Sequence, residues 1–235
     1  MTVAVANTIV DRVHARAVRV MQRVAPGAAF ALSDLALACH ENTRGYRCLL
    51  ERARDRTTVG CLEGDCTHGR DPLRNYCFVA LSDGTTFELV ERRQHAGRTD
   101  IWHNGRTIGH AACTREDLIE GTVCPTAWDL FHEGRLFGEV SRGLKVRPES
   151  LWVHRADGPD LPLVLPRKNG LGQMVRAIGR LAALKFLSGW PPANHDLLVP
   201  GQAARTLSND QLAFYFAAVL LFRAVYFRSH LAPAE

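Results

Sequence analysis

Two different hydrophobic periods run along this chain, and the change from one to the other divides it. Over residues 7–24, "NTIVDRVHARAVRVMQRV", Ile9, Val13, Ala17, Val20 and Met21 recur at helical spacing with Arg12, Arg16, Arg19 and Arg23 between them. This pattern predicts an amphipathic helix, ended by "APGAA". Residues 28–59 carry short apolar runs, "AAFALSDLALAC" and "GYRCLLERA", on either side of the polar "HENTRG"; they suit short helices and short strands equally. The middle of the chain then repeats itself in "FVALSDGTTFELVERR", "TDIWHNGRTIGHAACTR", "AWDLFHEGRLFGEVSR" and "LWVHRADGPDLPLVLPRK". Each unit has an apolar run and a pair ending in Gly84, Gly105, Gly134 or Gly158. An apolar residue follows three positions later, at Phe87, Ile108, Phe137 or Leu161, and basic residues close the unit. Asp-Gly and Asn-Gly pairs take the positive φ angles of a type I′ turn, so the text predicts four successive β-hairpins. The glycines are 21, 29 and 24 residues apart, too uneven for a solenoid and suited to an antiparallel meander.

Beyond the hairpins, "NGLGQMVRAIGRLAALKFLSGWPP" puts Leu171, Met174, Val175, Ile178, Leu181 and Ala182 on one helical face, predicting a helical insertion at 170–187 stopped by Pro191 and Pro192. "NHDLLVP" reads as a last short strand, and "LSND" offers Ser208, Asn209 and Asp210 as helix caps. The stretch that follows, "LAFYFAAVLLFRAVYF" from Leu212 to Phe227, is apolar on every face. It is shorter than the roughly 20 residues that cross a hydrocarbon core and contains Arg223. Such a helix reads first as one buried by protein on all sides, which a meander closing into a barrel around it would accomplish, and second as a membrane-inserted tail; Arg223 suits neither without a barrel mouth or a carboxylate to reach. The expected fold is therefore α+β: a single domain over 1–235 in which an antiparallel β-barrel of hairpins encloses a hydrophobic C-terminal helix, with the amphipathic helices added.

The repeated Asp-Gly-x-x-apolar hairpins, together with "LLVP" and "NDQLAFYFAAVLLFRAVYF", resemble the Tubby C-terminal-like superfamily, particularly its phospholipid scramblase and LURP-one-related branch. The likeness covers about Tyr76 to Phe227, the earlier segment supplying the first strands. It implies a twelve-stranded barrel around a central helix. The chain departs from that branch in having Arg223 where many members carry an acidic residue, and in its insertion at 170–187. It also has no cysteine run suited to palmitoylation and no acidic calcium loop, so calcium-stimulated scrambling is not implied.

Bulk composition narrows the function classes. With 46% hydrophobic and 23% charged residues the chain is an ordinary globular sequence. The net charge of +5 arises from 29 Lys and Arg among 24 Asp and Glu, a bias toward anionic partners that lacks the basic stripe of a nucleic-acid binder. No specific nucleic acid is expected. Asp11, Arg12 and Arg16 interrupt the N-terminus too early for a secretory leader, so seven cysteines read as free thiols and the expected location is the cytoplasm, peripheral at membranes.

Three sets of residues carry candidate chemistry. The basic residues that close the hairpin units, Arg92, Arg93, Arg115, Arg142, Arg167 and Lys168, would gather on one rim if the units are equivalent, as a lipid-headgroup site. Cys61, Cys66, His68 and Cys77 are ligand types for a structural zinc, in a C-x4-C-x-H-x8-C spacing unlike paired knuckles. No other cofactor is expected. His103, His110, His132 and His154 recur in the hairpins, and Cys39 adjoins His40. No phosphate loop, dinucleotide fingerprint or zincin motif occurs. The leading expectation is a non-enzymatic barrel that binds anionic membrane surfaces through the strand-end Arg and Lys, with help from the amphipathic helices. Two others stand beside it: an interaction scaffold whose helices 7–24 and 170–187 dock a protein partner, and a hydrolase or transferase using the Cys and His residues of 39–77.

Overall fold

Alternating side chains make the strands of this molecule, and left-handed residues turn them. The computed structural model describes residues 8–24, 26–27, 35–42, 45–52, 55, 57–66, 72–119, 122–141, 151–166, 194–198 and 206–222. Helix α1 (Ile9–Met21) comes first. Strands β1 (Leu35–Asn42), β2 (Gly45–Arg52), β3 (Thr58–Cys66), β4 (Leu73–Leu81), β5 (Thr86–Arg92) and β6 (Arg98–His103) follow. The next are β7 (Arg106–Ile119), β8 (Thr122–His132), β9 (Arg135–Ser141), β10 (Leu151–Arg155), β11 (Leu161–Pro166) and β12 (Asn194–Leu198), before helix α2 (Asn209–Leu221). The class is α+β with antiparallel pairing throughout.

Sequential strands pair, and β1 bonds to both β2 and β12, so the strand order is closed. The four expected hairpins are β4–β5, β6–β7, β8–β9 and β10–β11. Two have the expected turn: Asn104 and Gly105 (φ 48° and 76°) and Glu133 and Gly134 (49° and 79°) are left-handed as pairs. The Asp83–Gly84 turn departs from type I′. There Gly84 (φ 89°) is left-handed while Asp83 accepts a 2.9 Å bond from the Thr85 amide through Oδ1, an Asx turn that removes the need for a second positive φ. The open stretch at 28–59 contains β1, β2 and the start of β3. The expected helix at 7–24 is helical from Ile9 to Met21, and the expected insertion at 170–187 lies outside the described residues.

Inward-facing residues form one core. Leu50, Val59, Leu62, Val79, Leu89, Ile101, Leu130, Val140 and Val153 pack with α2, which is buried continuously from Ala213 to Phe222. Phe214 meets Phe137 edge-on at 5.3 Å between ring centroids, Phe216 lies 5.6 Å from Phe87, and Phe222 is edge-on to Trp128 at 5.0 Å. Ser208 caps α2 reciprocally with Gln211, selecting one of the three expected caps. Arg223 falls outside the described residues. Among the described residues no helix is long and apolar enough to cross a membrane. Helix α1 lies on the other face of the sheet, over β3 and β4, where Ile9 and Val13 pack with Tyr76 and Val90.

Candidate functional site

Antiparallel order sends the turns of the β4–β5, β6–β7, β8–β9 and β10–β11 hairpins to one rim and the far ends of β5, β7 and β9 to the other. The pairings Arg115 with Ala127 and Ala127 with Ser141 put the middle of β7 level with the end of β9. Arg98 pairs with Ala112 just beside them, and Arg92 with Leu73. Three of the predicted lipid-site residues, Arg92, Arg93 and Arg115, are exposed at this rim. Arg142, Arg167 and Lys168 lie outside the described residues.

The most concentrated part of the rim is the connection between β5 and β6, "RRQHAGR", with Arg92, Arg93, His95 and Arg98 in seven positions. It makes one 3-10 turn and then reverses at Gly97 (φ 83°). A buried carboxylate fixes it: Glu91 accepts from the Gly97 amide at 3.2 Å, from Arg74 at 3.3 Å and from the Asn75 side-chain amide. The Arg93 amide donates to the Pro72 carbonyl and the Cys113 amide to that of Gly97. The loop backbone is thus held while residues 92–96 face water. Arg74 and Arg98 are about half exposed beside it, with Arg98 paired to Asp100 at 2.9 Å. Guanidinium groups on a fixed backbone suit multidentate binding of phosphate or carboxylate oxygens.

A second constellation, absent from the sequence reading, fastens α1. On the outer face of β3, Glu63 and Asp65 keep only 3% and 11% of their side-chain surface exposed. Arg16 of α1 reaches both, with Nε 3.4 Å from Glu63 and Nη1 3.1 Å from Asp65, and donates to the Gly64 carbonyl at 3.1 Å. Arg47 of β2 binds Glu63 from the opposite side. Two residues earlier, His14 Nε2 is 2.7 Å from the Tyr76 hydroxyl, which donates to Glu88 at 2.8 Å. Since that hydroxyl proton is committed to the carboxylate, His14 must donate through Nε2. Burial, then the bond to Glu88, holds the Tyr76 hydroxyl well above its ordinary pKa. The sequence signal was present: in "LEGDC", acids two apart on a strand share a face, and Arg16 lies on the side of the helix next to Val13 and Ala17.

The zinc expectation needs correction. Cys61 and Cys77 lie on opposite faces of the sheet and cannot bind one ion. Cys77 points into the core with α2, whereas Cys61 lies under α1 with Sγ 3.9 Å from the Ala17 carbonyl oxygen. Odd spacing across the β3–β4 ladder, where Cys61 pairs with Ala80, dictates this. Cys66 ends β3 but its side chain, like all of His68, falls outside the described residues. Among the described residues no group of three His, Cys, Asp or Glu is placed to hold a metal. The four histidines also separate. His103 stacks on Phe87 and His132 lies against Phe214, while His110 stacks on Phe131 and His154 pairs with Asp160 at 3.0 Å.

Burial, followed by the charge of Glu63, pushes the Cys61 thiol up to about 12, the reverse of nucleophile activation. The side chains of Cys39 and His40 are outside the described part. No family profile, no curated protein and no solved structure matches this chain, so its rim and clasp are interpreted from their own geometry.

Proposed function

We propose that the chain is a Tubby-like barrel, its closed antiparallel order enclosing α2, and that it docks on anionic membrane surfaces through the rim carrying Arg74, Arg92, Arg93, Arg98 and Arg115. The observation that carries this reading is the loop 92–98, whose exposed cations stand on a backbone pinned by the buried Glu91. Among the described side chains, the acids beside it are Glu91, Asp100 and Glu116, of which Glu91 pairs with Arg74 and Asp100 with Arg98. Such a surface attracts anionic headgroups with an energy of about 1 kcal/mol per cation near the membrane and weakens as salt screens it.

Flotation with neutral and with phosphatidylserine- or phosphoinositide-containing vesicles tests it, with Arg92→Ala plus Arg93→Ala alongside. Binding to anionic vesicles alone, reduced by salt and by the double substitution, is the expected result. Equal binding by the double variant removes the rim from the reading, and no binding removes the membrane. A scaffold role is favoured by a different observation. Leu136 on β9 and Trp152 on β10 are 38% and 41% exposed, so apolar surface is available on that side of the sheet for a protein partner. A stable complex lost on Trp152→Ala would support it.

A further inference from the structure

The clasp beneath α1 is built from groups that an anionic surface can replace. Helix α1 turns a second basic face outward, with Arg12, Arg19 and Arg23 exposed around Val18 and Asp11 beside them. The Asp11 carboxylate is itself occupied, accepting from the Thr8 amide and hydroxyl in the helix cap. Its inner face offers Ile9, Val13 and Ala17, fully buried but modest in size, and the ionic contacts of Arg16 and the His14–Tyr76 hydrogen bond complete the hold. The amino end of the helix stands at the arginine rim, where Ile9 and Val10 pack near Leu73, the neighbour of Arg74 and the pairing partner of Arg92. An anionic surface drawn to the rim therefore lies beside the amino end of α1.

We infer that α1 is a detachable membrane-binding helix, held on β3 and β4 by the Arg16–Glu63–Asp65 clasp and drawn off by an anionic lipid surface. The inference rests on the docking reading above and gives it a second, regulated element. On transfer, lipid phosphates replace the two carboxylates around Arg16, and the acyl boundary replaces the sheet against Ile9, Val13 and Ala17. Glu63 keeps Arg47, and both carboxylates gain water, so no buried charge is stranded. A helix with cations spread along one side and apolar residues along the other is the type that lies in a membrane interface.

Cys61 reports the event. It is fully buried under Ala17, whereas Cys48 and Cys77 face the core. Alkylation located by mass spectrometry, with neutral or phosphatidylserine vesicles, therefore separates helix release from general unfolding. Anionic vesicles are expected to speed labelling of Cys61 on the order of tenfold, leaving Cys48 and Cys77 protected. Arg16→Gln is expected to raise labelling of Cys61 without vesicles. Wild-type protein that floats with anionic vesicles while Cys61 stays as protected as with neutral ones overturns the inference and leaves rim docking intact. Failure to float overturns both. Parallel labelling of Cys48, Cys61 and Cys77 overturns the inference by showing global opening.

Discussion

Gly109 stands on β7 against Phe214 of α2. A Cβ there would lie 2.1 Å from the Phe131 carbonyl oxygen and 2.5 Å from Cε2 of Phe214, so neither backbone nor ring can yield without moving the helix. Gly109→Ala is expected to destabilise by about 3 kcal/mol or more, read as a lower urea midpoint; an unchanged midpoint would show that α2 does not pack as described. Glu63 is the other residue on which much depends. Glu63→Ala leaves Arg47 and Arg16 sharing fewer acceptors in a partly desolvated site, at an expected cost of about 2 kcal/mol, discounted for the partial exposure of both arginines. A double-mutant cycle with Arg16→Ala should show coupling between the two. Residues of this kind were the hardest to read in sequence. Glycines at 84, 105, 134 and 158 announced turns because a positive φ has a chemical signature, but Gly109 is distinguished only by what another part of the chain brings against it.

At the scale of elements, legibility followed how local the cause is. The hairpins of β4–β11 and both described helices were readable because turn residues, caps and periodicity act within a few positions. Strands β1 to β3 were not, because β3 puts Cys61, Glu63 and Asp65 on a face that is outward in the sheet yet buried by α1, which spoils the apolar and polar alternation. The zinc expectation failed for the same reason: spacing along the chain does not tell which face of the sheet receives each thiol. Caps permit a direct check on α2. Ser208 accepts from the Gln211 amide, and its own amide donates to Gln211 Oε1. Ser208→Ala is expected to cost about 1 kcal/mol, since the Gln211 amide loses its acceptor while the bond from the amide of residue 208 to Gln211 Oε1 can persist, and Ser208→Asp should retain most of the stability. Equal thermal stability of wild type and alanine variant would mean that burial of Ala213 to Phe222 alone sets the helix start.

For the whole molecule, burial of titratable groups on both sides of neutrality shapes stability against pH. His110 and His132 are held below their ordinary value of 6.5, in each by burial first, with Arg98 adding to the effect at His110 and Arg106 at His132. His132 Nε2 is buried with no hydrogen-bond partner among the described residues, so a proton there is poorly received. As pH falls through 6.5 the unfolded chain takes up protons that the folded one resists, and stability must fall. Cys61, Tyr76 and Tyr215 act at the other end, all three raised by burial above ordinary values of 9.0 and 10.0. Above pH 9 the unfolded chain releases those protons while the folded chain keeps them, so stability falls again as pH rises. Urea midpoints at about pH 5, 8 and 10.5 should therefore be highest at the middle value. His132→Gln should flatten the acid limb and leave the alkaline limb unchanged, because the glutamine neither gains a proton nor touches the thiol under α1. A midpoint that rises steadily from acid to alkali would contradict the burial of Cys61 and Tyr76, and with it the seating of α1 on β3 and β4 from which the membrane-driven release of that helix is argued.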